Sequence, residues 1–542
     1  MDDSRYDLIV IGGGHNGLVC AFEMARAGRK VLVLERRGLV GGCAVTEELW
    51  PGYKVSTASY VVSLLLPEIE ERMELKRHGY KVLPRTPSSF TPLEDGRYLL
   101  LGPDEEMTRR EIAKFSQRDA DAYPKYNRLL ERIAECLEPV LNQTPPDLLP
   151  LPREWREISF GKKLRDTKTG WSIFQALKQL GSDMPEAIEL LTGAARPILD
   201  RWFESDILKA TLATDAIIGT FQPISAPGTA YVLLHHVMGS AGDDRGVWGY
   251  VEGGMGGLTQ AMAKSCEEAG VTIRTDAEVA SIRVIDNKAC GVVLSTGEEI
   301  RGKSVASNVD AHLTFEKFLD AQQLPDDFAR AVSRIDYSSA SMKINLAVSE
   351  LPDFTCLPGN AEVGPQHRGT IHIGCELEYL ERAYDDAKYG RPSRRPIVEM
   401  TIPTSVDKTL TPDRHHILSL FVQYAPYNLS EGNWDDAKEE FADRCVAEIA
   451  RLAPNVPASI IHRQILSPVD LERVYGLTGG NIFQGAMPLH QLFSMRPVAG
   501  WSDYRTPIDG LYICGSAAHP GGGVMGACGL NSAREILRDG LA

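Results

Sequence analysis

Residues 6–35 read YDLIVIGGGHNGLVCAFEMARAGRKVLVLE, and this stretch decides the fold. Tyr6–Ile11 is an aliphatic, β-branched run, the pattern of a parallel strand buried on both faces. Gly12-Gly13-Gly14-His15-Asn16-Gly17 follows at once and matches G-x-G-x-x-G. Leu18, Ala21, Phe22 and Ala25 then stand at i, i+3, i+4 and i+7, one apolar helix face, and Gly28 is placed to end that helix. Lys30–Leu34 reads as a second strand with Glu35 at its end. Each part suits a dinucleotide. Gly12 permits the tight turn, Gly14 lets the backbone approach a pyrophosphate, and Gly17 lets helix and strand pack closely. The helix start offers N–H groups and a positive dipole end to phosphates. Glu35 can accept from ribose hydroxyls, and its charge disfavours a 2′-phosphate, hence an NADP-type ligand. His15, Asn16 and Arg36 are further candidate contacts by position.

The same glycine pattern recurs at Gly521–Gly526. There Ser516–Pro520 intervene after the preceding strand, and too little chain remains for a βαβ unit, so it is not a second nucleotide fold. Working outward, a glycine pair, Gly41-Gly42, follows the second strand. Near the C-terminus Leu511–Gly515 reads as a strand, Ser516–Pro520 leads into Gly521–Gly523, and a helix is expected from about Val524. Such a helix start near a cofactor would stabilise developing negative charge. In the middle, Tyr250–Leu258 is glycine-rich and precedes an Ala-rich helix. Val271–Arg274, Glu278–Ile285, Ala289–Leu294 and Glu299–Val305 read as short strands, and turns at Asp286-Asn287 and Ser295–Gly297 suggest a meander.

Taken together these features resemble the FAD-binding amine oxidase and phytoene desaturase superfamily. The chain is similar, nearly end to end, to its pyridine nucleotide-disulfide oxidoreductase domain-containing protein 2 group. That resemblance rests on Gly14–Cys20, Trp202–Ser205, Leu208–Asp215, Ala226–Thr229, Tyr231–Gly239, Gly249–Gly257, Gly479–Phe483 and His519–Gly526. It implies FAD as cofactor and an α/β fold: a Rossmann-like FAD-binding domain with an inserted α+β substrate domain. It also implies that Gly41 and Gly42 let the backbone near the cofactor and that the Val279 backbone meets the adenine. Gly515, Ser516, Gly523 and Val524 would face the flavin. The chain departs from the superfamily pattern twice. Cys43 stands where an Arg usually follows the glycines, and Gly515-Ser516 replaces Gly-Asp, so a ribitol contact would come from a hydroxyl or the backbone. The "disulfide" of the group's name has no residues behind it, because no two of the ten cysteines form C-x-x-C. Free thiols in a reducing compartment are expected instead.

Length and composition fit this reading. At about 100–200 residues per domain, 542 residues make two or three lobes. A hydrophobic fraction of 43% with 24% charged residues is that of a soluble globular protein. The net charge of -15 repels phosphate backbones, which excludes nucleic acid as a partner, and no basic run stands out that would pin the chain to an anionic membrane. No apolar run approaches the ~18 residues of a membrane span. The acidic start Met1–Arg5 leads straight into the first strand and leaves no room for a cleaved leader. The expected location is the cytoplasm, or the mitochondrial matrix or inner membrane for a eukaryotic member of the group. Oligomeric state is left open.

The FAD-binding domain is expected to be discontinuous, 1–75, 225–310 and 470–542, with a substrate domain of 76–224 and 311–469. The first half of the insert, 105–220, reads as mainly helical, and Asn142–Pro152 as a surface connection. The second half carries strand-like runs at Ser341–Ala347, Thr370–Gly374, Ile397–Thr401 and Ile417–Gln423, then an amphipathic helix at Asp435–Leu452.

Candidate chemistry is sparse. His519 lies in the loop expected beside the flavin, and His235-His236 on a helix where only one of two adjacent side chains should face a site. Trp202 and Phe203 read as core, Trp248 and Tyr250 as core or flavin wall. No triad, metal-ligand cluster or close carboxylate pair emerges. Hydride chemistry at a flavin does not need one, since the protein mainly orients substrate and tunes charge. The resemblance therefore leads to hydride transfer on a small apolar or polyene-like substrate, which would reach the site through peripheral contact with a membrane or carrier protein near residues 185–240. An amine oxidase-type enzyme and a non-catalytic flavoprotein scaffold that binds a protein partner remain as alternatives.

Overall fold

The computed structural model describes residues 6–147, 160–241, 244–245, 248–374, 376–412 and 414–540. Two seven-stranded sheets carry the fold. In the first, Tyr6–Ile11 is flanked by Val31–Leu34 and Glu299–Ser307, both parallel to it. Thr272–Arg274 adds beyond Val31–Leu34, and Leu511–Ile513 pairs parallel with the end of Glu299–Ser307. The antiparallel strands Val279–Ile285 and Lys288–Leu294 complete the sheet. The expected meander thus has three strands. Thr272–Arg274, which follows helix Gly256–Glu268, instead sits on the opposite edge, paired parallel with Val31–Leu34.

Alternation explains the layers. Leu8 and Val10 point into one core with helices His15–Arg26, Gly256–Glu268 and Ala527–Arg538, while Ile9 and Ile11 pack with Phe315, Phe328 and Trp501 on the other face. A strand buried on both faces cannot alternate with polar residues, which is why Tyr6–Ile11 reads as a continuous apolar run.

The second sheet runs Ile460–Leu466, Ser341–Val348, His416–Gln423, Ile397–Thr401, Thr370–Ile373, Ser89–Pro92, Tyr98–Leu101, antiparallel except between Thr370–Ile373 and Ser89–Pro92. One face, with Met342, Ile344, Ile371, Val398, Leu418 and Leu420, packs on helix Trp434–Ala450. A helical layer of Glu105–Ala113, Gln117–Leu141, Met184–Thr192, Ala195–Trp202 and Asp206–Thr214 lies alongside, around Tyr126, Leu199, Phe203 and Leu208. Helix Thr229–Val237 belongs to this layer through Ala230, Leu233 and Leu234, and Leu313–Val332 packs under the first sheet. The sequence-based boundaries place both the other way.

The reading of Asn142–Pro152 as a surface connection also changes where it can be followed. Pro145 and Pro146 are buried, Thr144 Oγ1 donates to Glu535 Oε1 (2.7 Å), and Ser494 Oγ donates to the Pro146 carbonyl (2.8 Å). Residues 148–152 of that segment, like Met1–Arg5 and Cys375, lie outside the described residues. The other nine cysteines are free thiols.

Candidate active site

The strand ends of the first sheet open into a cavity of about 890 Å³ that continues to the inner face of the second sheet. Its first part is a dinucleotide cradle. Gly12, Gly14, His15, Asn16, Glu35, Arg36, Gly41, Gly42, Val279, Ser516, Gly523 and Val524 all line it. Gly17 and Gly515 do not. They serve packing: a Cβ on Gly17 would lie 2.3 Å from the Gly12 carbonyl oxygen, and one on Gly515 2.5 Å from that of Asn308.

The cradle is cross-tied. The Gly13 N–H donates to Glu35 Oε2 (2.8 Å) and the Arg37 N–H to Glu35 Oε1 (3.0 Å), so the acid shapes the glycine loop as well as facing the cavity. The Gly41 N–H donates to the Gly13 carbonyl at 2.8 Å, which brings the two glycine motifs edge to edge. Asn16 Nδ2 donates to Ser516 Oγ (3.2 Å), and His15 Nε2 lies 3.1 Å from the Gly523 carbonyl. Burial drops the His15 pKa to about 4, so its ring is neutral and donates that hydrogen bond. Sequence positions about 500 apart thereby form one wall. Asn308, at the end of Glu299–Ser307, was not singled out by sequence. It donates from Nδ2 to the Gly12 carbonyl (3.1 Å) and lines the cradle. Its position past the C-terminal end of a central parallel strand is the signal that could have found it.

The histidines fall differently from expectation. His235 and His236 both line the cavity, although adjacent helical residues point about 100° apart, because the cavity wraps that helix. His235 Nε2 meets the Gly522 carbonyl (3.1 Å), and His236 Nδ1 meets that of Val232 (2.8 Å) while its ring stacks on Trp248. Burial lowers their pKa values to about 3 and about 4. His519 is not among the cavity-lining residues. It is 1% exposed and meets the Phe493 ring edge-on, and its carbonyl accepts from the Tyr504 hydroxyl. The Ser516–Pro520 loop turns this ring into the core, so its expected place beside the flavin is corrected. The helix after it also begins later than Val524, at Ala527, with Gly526 as its N-cap.

Beyond the cradle lies a chamber walled by Leu64, Tyr126, Leu130, Leu212, Ile218 and Phe421. Its floor is the inner face of the second sheet, where alternation sets a row of residues opposite the apolar face. Lys343 pairs with Phe421, Phe421 with Glu399, and Glu399 with His372 across four strands. Lys343 Nζ donates to Asn345 Oδ1 (2.7 Å) and Ser419 Oγ (2.5 Å) and stands over the Tyr60 ring; burial takes its pKa well below the usual range. Burial raises Glu399 to about 8, with Asp215 adding to the shift, and raises Asp215 itself to about 7. His372 is held neutral by burial and by Arg85, near 3. Arg85, 2% exposed, donates from Nε to the Trp248 carbonyl (2.7 Å) and from Nη1 to Thr370 Oγ1 (3.0 Å), over the Tyr250 ring. Sequence reading found none of these roles and no carboxylate pair; Asp215 and Glu399 are 184 positions apart by number but interact here. Among the described residues no group of three or more His, Cys, Asp or Glu is arranged to hold a metal.

The family of flavin containing amine oxidoreductases matches residues 17–537. The chain belongs to this family. It is 46% identical over 99% of its length, and 94% of the relative's, to pyridine nucleotide-disulfide oxidoreductase domain-containing protein 2 of Rattus norvegicus. A limonene dehydrogenase subunit of Castellaniella defragrans is 26% identical over 98% of this chain and 94% of its own. The chloroplastic prolycopene isomerase of Daucus carota is 24% identical over 99% and 80%. Among solved structures a putrescine oxidase variant superposes with a TM-score of 0.60 at 16% identity, covering 99% of each chain, which shows the shared fold.

This flavin oxidoreductase family uses FAD, and the cradle fits it. Gly14 and Gly42 face each other so closely that a Cβ on Gly42 would lie 3.3 Å from the Gly14 Cα, keeping that wall bare backbone. The buried Asn16 Oδ1, without a hydrogen-bond partner, lies on a residue of the cradle wall. The protein is an FAD-dependent oxidoreductase.

Proposed function

We propose that this enzyme transfers a hydride between FAD and an elongated, largely apolar substrate seated in the chamber. The observation that supports this most is the continuity of the cradle with a chamber that has a hydrocarbon wall: a substrate lying along Leu64, Leu212, Ile218 and Phe421 would present a C–H to the cofactor. FAD when bound supplies the two-electron acceptor or donor. The chain's own residues orient the substrate, exclude water and hold protons at the floor. Lys343, whose pKa burial pushes well below the usual range, lines the cavity with its amine held by Asn345 and Ser419. The limonene dehydrogenase and the prolycopene isomerase are named for hydrocarbon substrates, which favours the same class.

The amine oxidase-type alternative draws on one feature, the carboxyls of Asp215 and Glu399, which could hold an ammonium if both ionised. Anaerobic bleaching of the flavin across polyenes, quinones, amines and NADH separates the readings. The proposal expects apolar C–H donors to bleach it. Bleaching by amines alone would favour the alternative, and no bleaching by any compound would favour the scaffold.

An apolar substrate has to arrive from lipid or a carrier, and one exposed surface suits a membrane. On helix Phe160–Lys178, Leu164, Trp171 and Phe174 are at least half exposed, and the exposed Lys168 and Lys178 share the face of Leu164 and Trp171 at i+4 and i+14 from Leu164. This surface lies upstream of the expected 185–240, where Ile188 is the one comparably exposed large apolar side chain among the described residues. Helical winding brings together basic residues that form no run in sequence. No helix among the described residues is long and apolar enough to cross a membrane.

A further inference from the structure

Most of the chamber wall is apolar, yet its floor buries a permanent cation. Arg85 is held by a carbonyl, a hydroxyl and the Tyr250 ring, and among the described residues no carboxylate lies within 4.0 Å of it. A guanidinium buried without a contacting counter-ion is costly, since its hydration is lost and the Asp215 and Glu399 carboxyls that feel its charge are themselves pushed toward the protonated form by burial. Beside it, on the same cavity surface, Glu399 is 5% exposed and its Oε1 has no hydrogen-bond partner; the His372 ring nitrogen stands 3.7 Å away. Ser89, next to Thr370 in the strand register, likewise lines the cavity with an unpartnered, buried Oγ.

We propose that the floor of the chamber is a receptor for a carboxylate carried by the substrate, with Arg85 as counter-ion and the Glu399 carboxyl and Ser89 hydroxyl as hydrogen-bond donors. This deepens the apolar-substrate reading and rests on it for the rest of the molecule: the substrate is an apolar body ending in a carboxylate.

The charges favour an anion over an ammonium. Near pH 7 Glu399, raised by burial, is protonated and donates, Asp215 is poised between its forms, and His372 is neutral. A carboxylate then neutralises Arg85 while Glu399 keeps its proton. An ammonium would need both acids ionised and would still face the guanidinium. The single guanidinium at the floor also matches a monoanion better than a phosphate, and burial disfavours the charged form of the nearby Lys343. The planar guanidinium is suited to two-point pairing with a carboxylate.

Titration calorimetry of the FAD-loaded protein at pH 7 with dodecanoate, dodecan-1-ol and dodecylamine tests this without turnover. The proposal expects dodecanoate to bind tighter than dodecan-1-ol by on the order of thirtyfold, the scale of a charged hydrogen bond in a buried site. Arg85→Gln should erase that difference and Arg85→Lys restore part of it, while dodecan-1-ol binding stays the same. Glu399→Gln keeps a neutral donor and should hold dodecanoate within about threefold. Flavin absorbance reports whether each variant is folded; should Arg85→Gln fail to fold, the wild-type ranking and Glu399→Gln still decide. Dodecylamine binding as tightly as dodecanoate, dodecanoate no tighter than the alcohol, or loss of dodecanoate binding in Glu399→Gln would each overturn the receptor. The hydride-transfer reading fails separately, by the absence of flavin reduction.

Discussion

Glu35 and the floor acids show how single residues report on this site. Glu35 accepts from the Gly13 and Arg37 N–H groups, so Glu35→Ala removes a loop support together with a ribose acceptor. FAD affinity should fall by about 1–3 kcal/mol, measured by equilibrium dialysis, with Glu35→Gln losing less. Gly14→Val should abolish FAD binding while the fold survives, because the added side chain fills the bare-backbone wall; a folded Gly14→Val protein with full FAD would remove Gly14 from the cradle. His519→Gln should leave single-turnover flavin reduction within about tenfold, since the ring does not line the cavity, whereas loss of a general base costs 10²–10⁴-fold as an order of magnitude.

Glu399 gives a pH prediction. Its pKa rises on folding from 4.5 to about 8, through burial first and Asp215 second, with Arg85 and Thr214 opposing and His372 neutral beside it. Between those values the native state holds a proton that the unfolded chain has released. This group's contribution to stability is therefore fully present below about pH 4.5 and is lost as pH rises through about 8, by up to about 1.4 kcal/mol per unit. Urea unfolding of Glu399→Gln should show a shallower decline between pH 5 and 8, as an order-of-magnitude window, than the wild type. An unchanged slope would place the raised acid elsewhere.

At the scale of elements, what was legible depended on locality. The N-terminal strand–turn–helix–strand unit could be read because its glycines, apolar period and terminal acid are contiguous, and the four strand-like runs at Ser341–Ala347, Thr370–Gly374, Ile397–Thr401 and Ile417–Gln423 correspond to strands. Ser89–Pro92 and Ile460–Leu466 were missed: the first is a short run ending in proline, and the second mixes His462, Arg463 and Gln464 into its pattern. The floor was illegible for a related reason. Lys343, Glu399 and His372 each sit singly inside an apolar run, and only the cross-strand register gathers them. The signal was present, a charged residue at an inward position of a strand buried on both faces, but its meaning needs the pairing. The C-terminal helix tests the element scale directly. Gly526 caps it at φ +77°, and a Cβ there would lie 2.4 Å from Ile69 Cδ1. Gly526→Ala should lower stability by about 1–3 kcal/mol, from left-handed strain and the clash, seen as a lower urea midpoint.

Across the whole molecule, function depends on joining parts far apart in sequence. His15, Asn16, Ser516 and Gly523 tie the cradle together, and Arg85, Asp215 and Glu399 line the chamber. The exposed face of helix Phe160–Lys178 is the proposed link to lipid. Co-sedimentation with phosphatidylserine-containing vesicles should fall at least several-fold in Trp171→Ser/Phe174→Ser, and the wild type should bind neutral vesicles more weakly; equal sedimentation of both proteins would exclude this face. The central claim, hydride transfer between FAD and an apolar-bodied substrate, is tested most directly by anaerobic stopped-flow absorbance of the FAD-loaded enzyme. Unsaturated apolar compounds, with and without a terminal carboxylate, would be mixed in parallel with amines and NADH. An apolar C–H donor is expected to bleach the flavin, fastest when it ends in a carboxylate, and amines and NADH are expected not to do so at a catalytic rate. Rapid bleaching by an amine or by NADH, with the apolar donors inert, would contradict it.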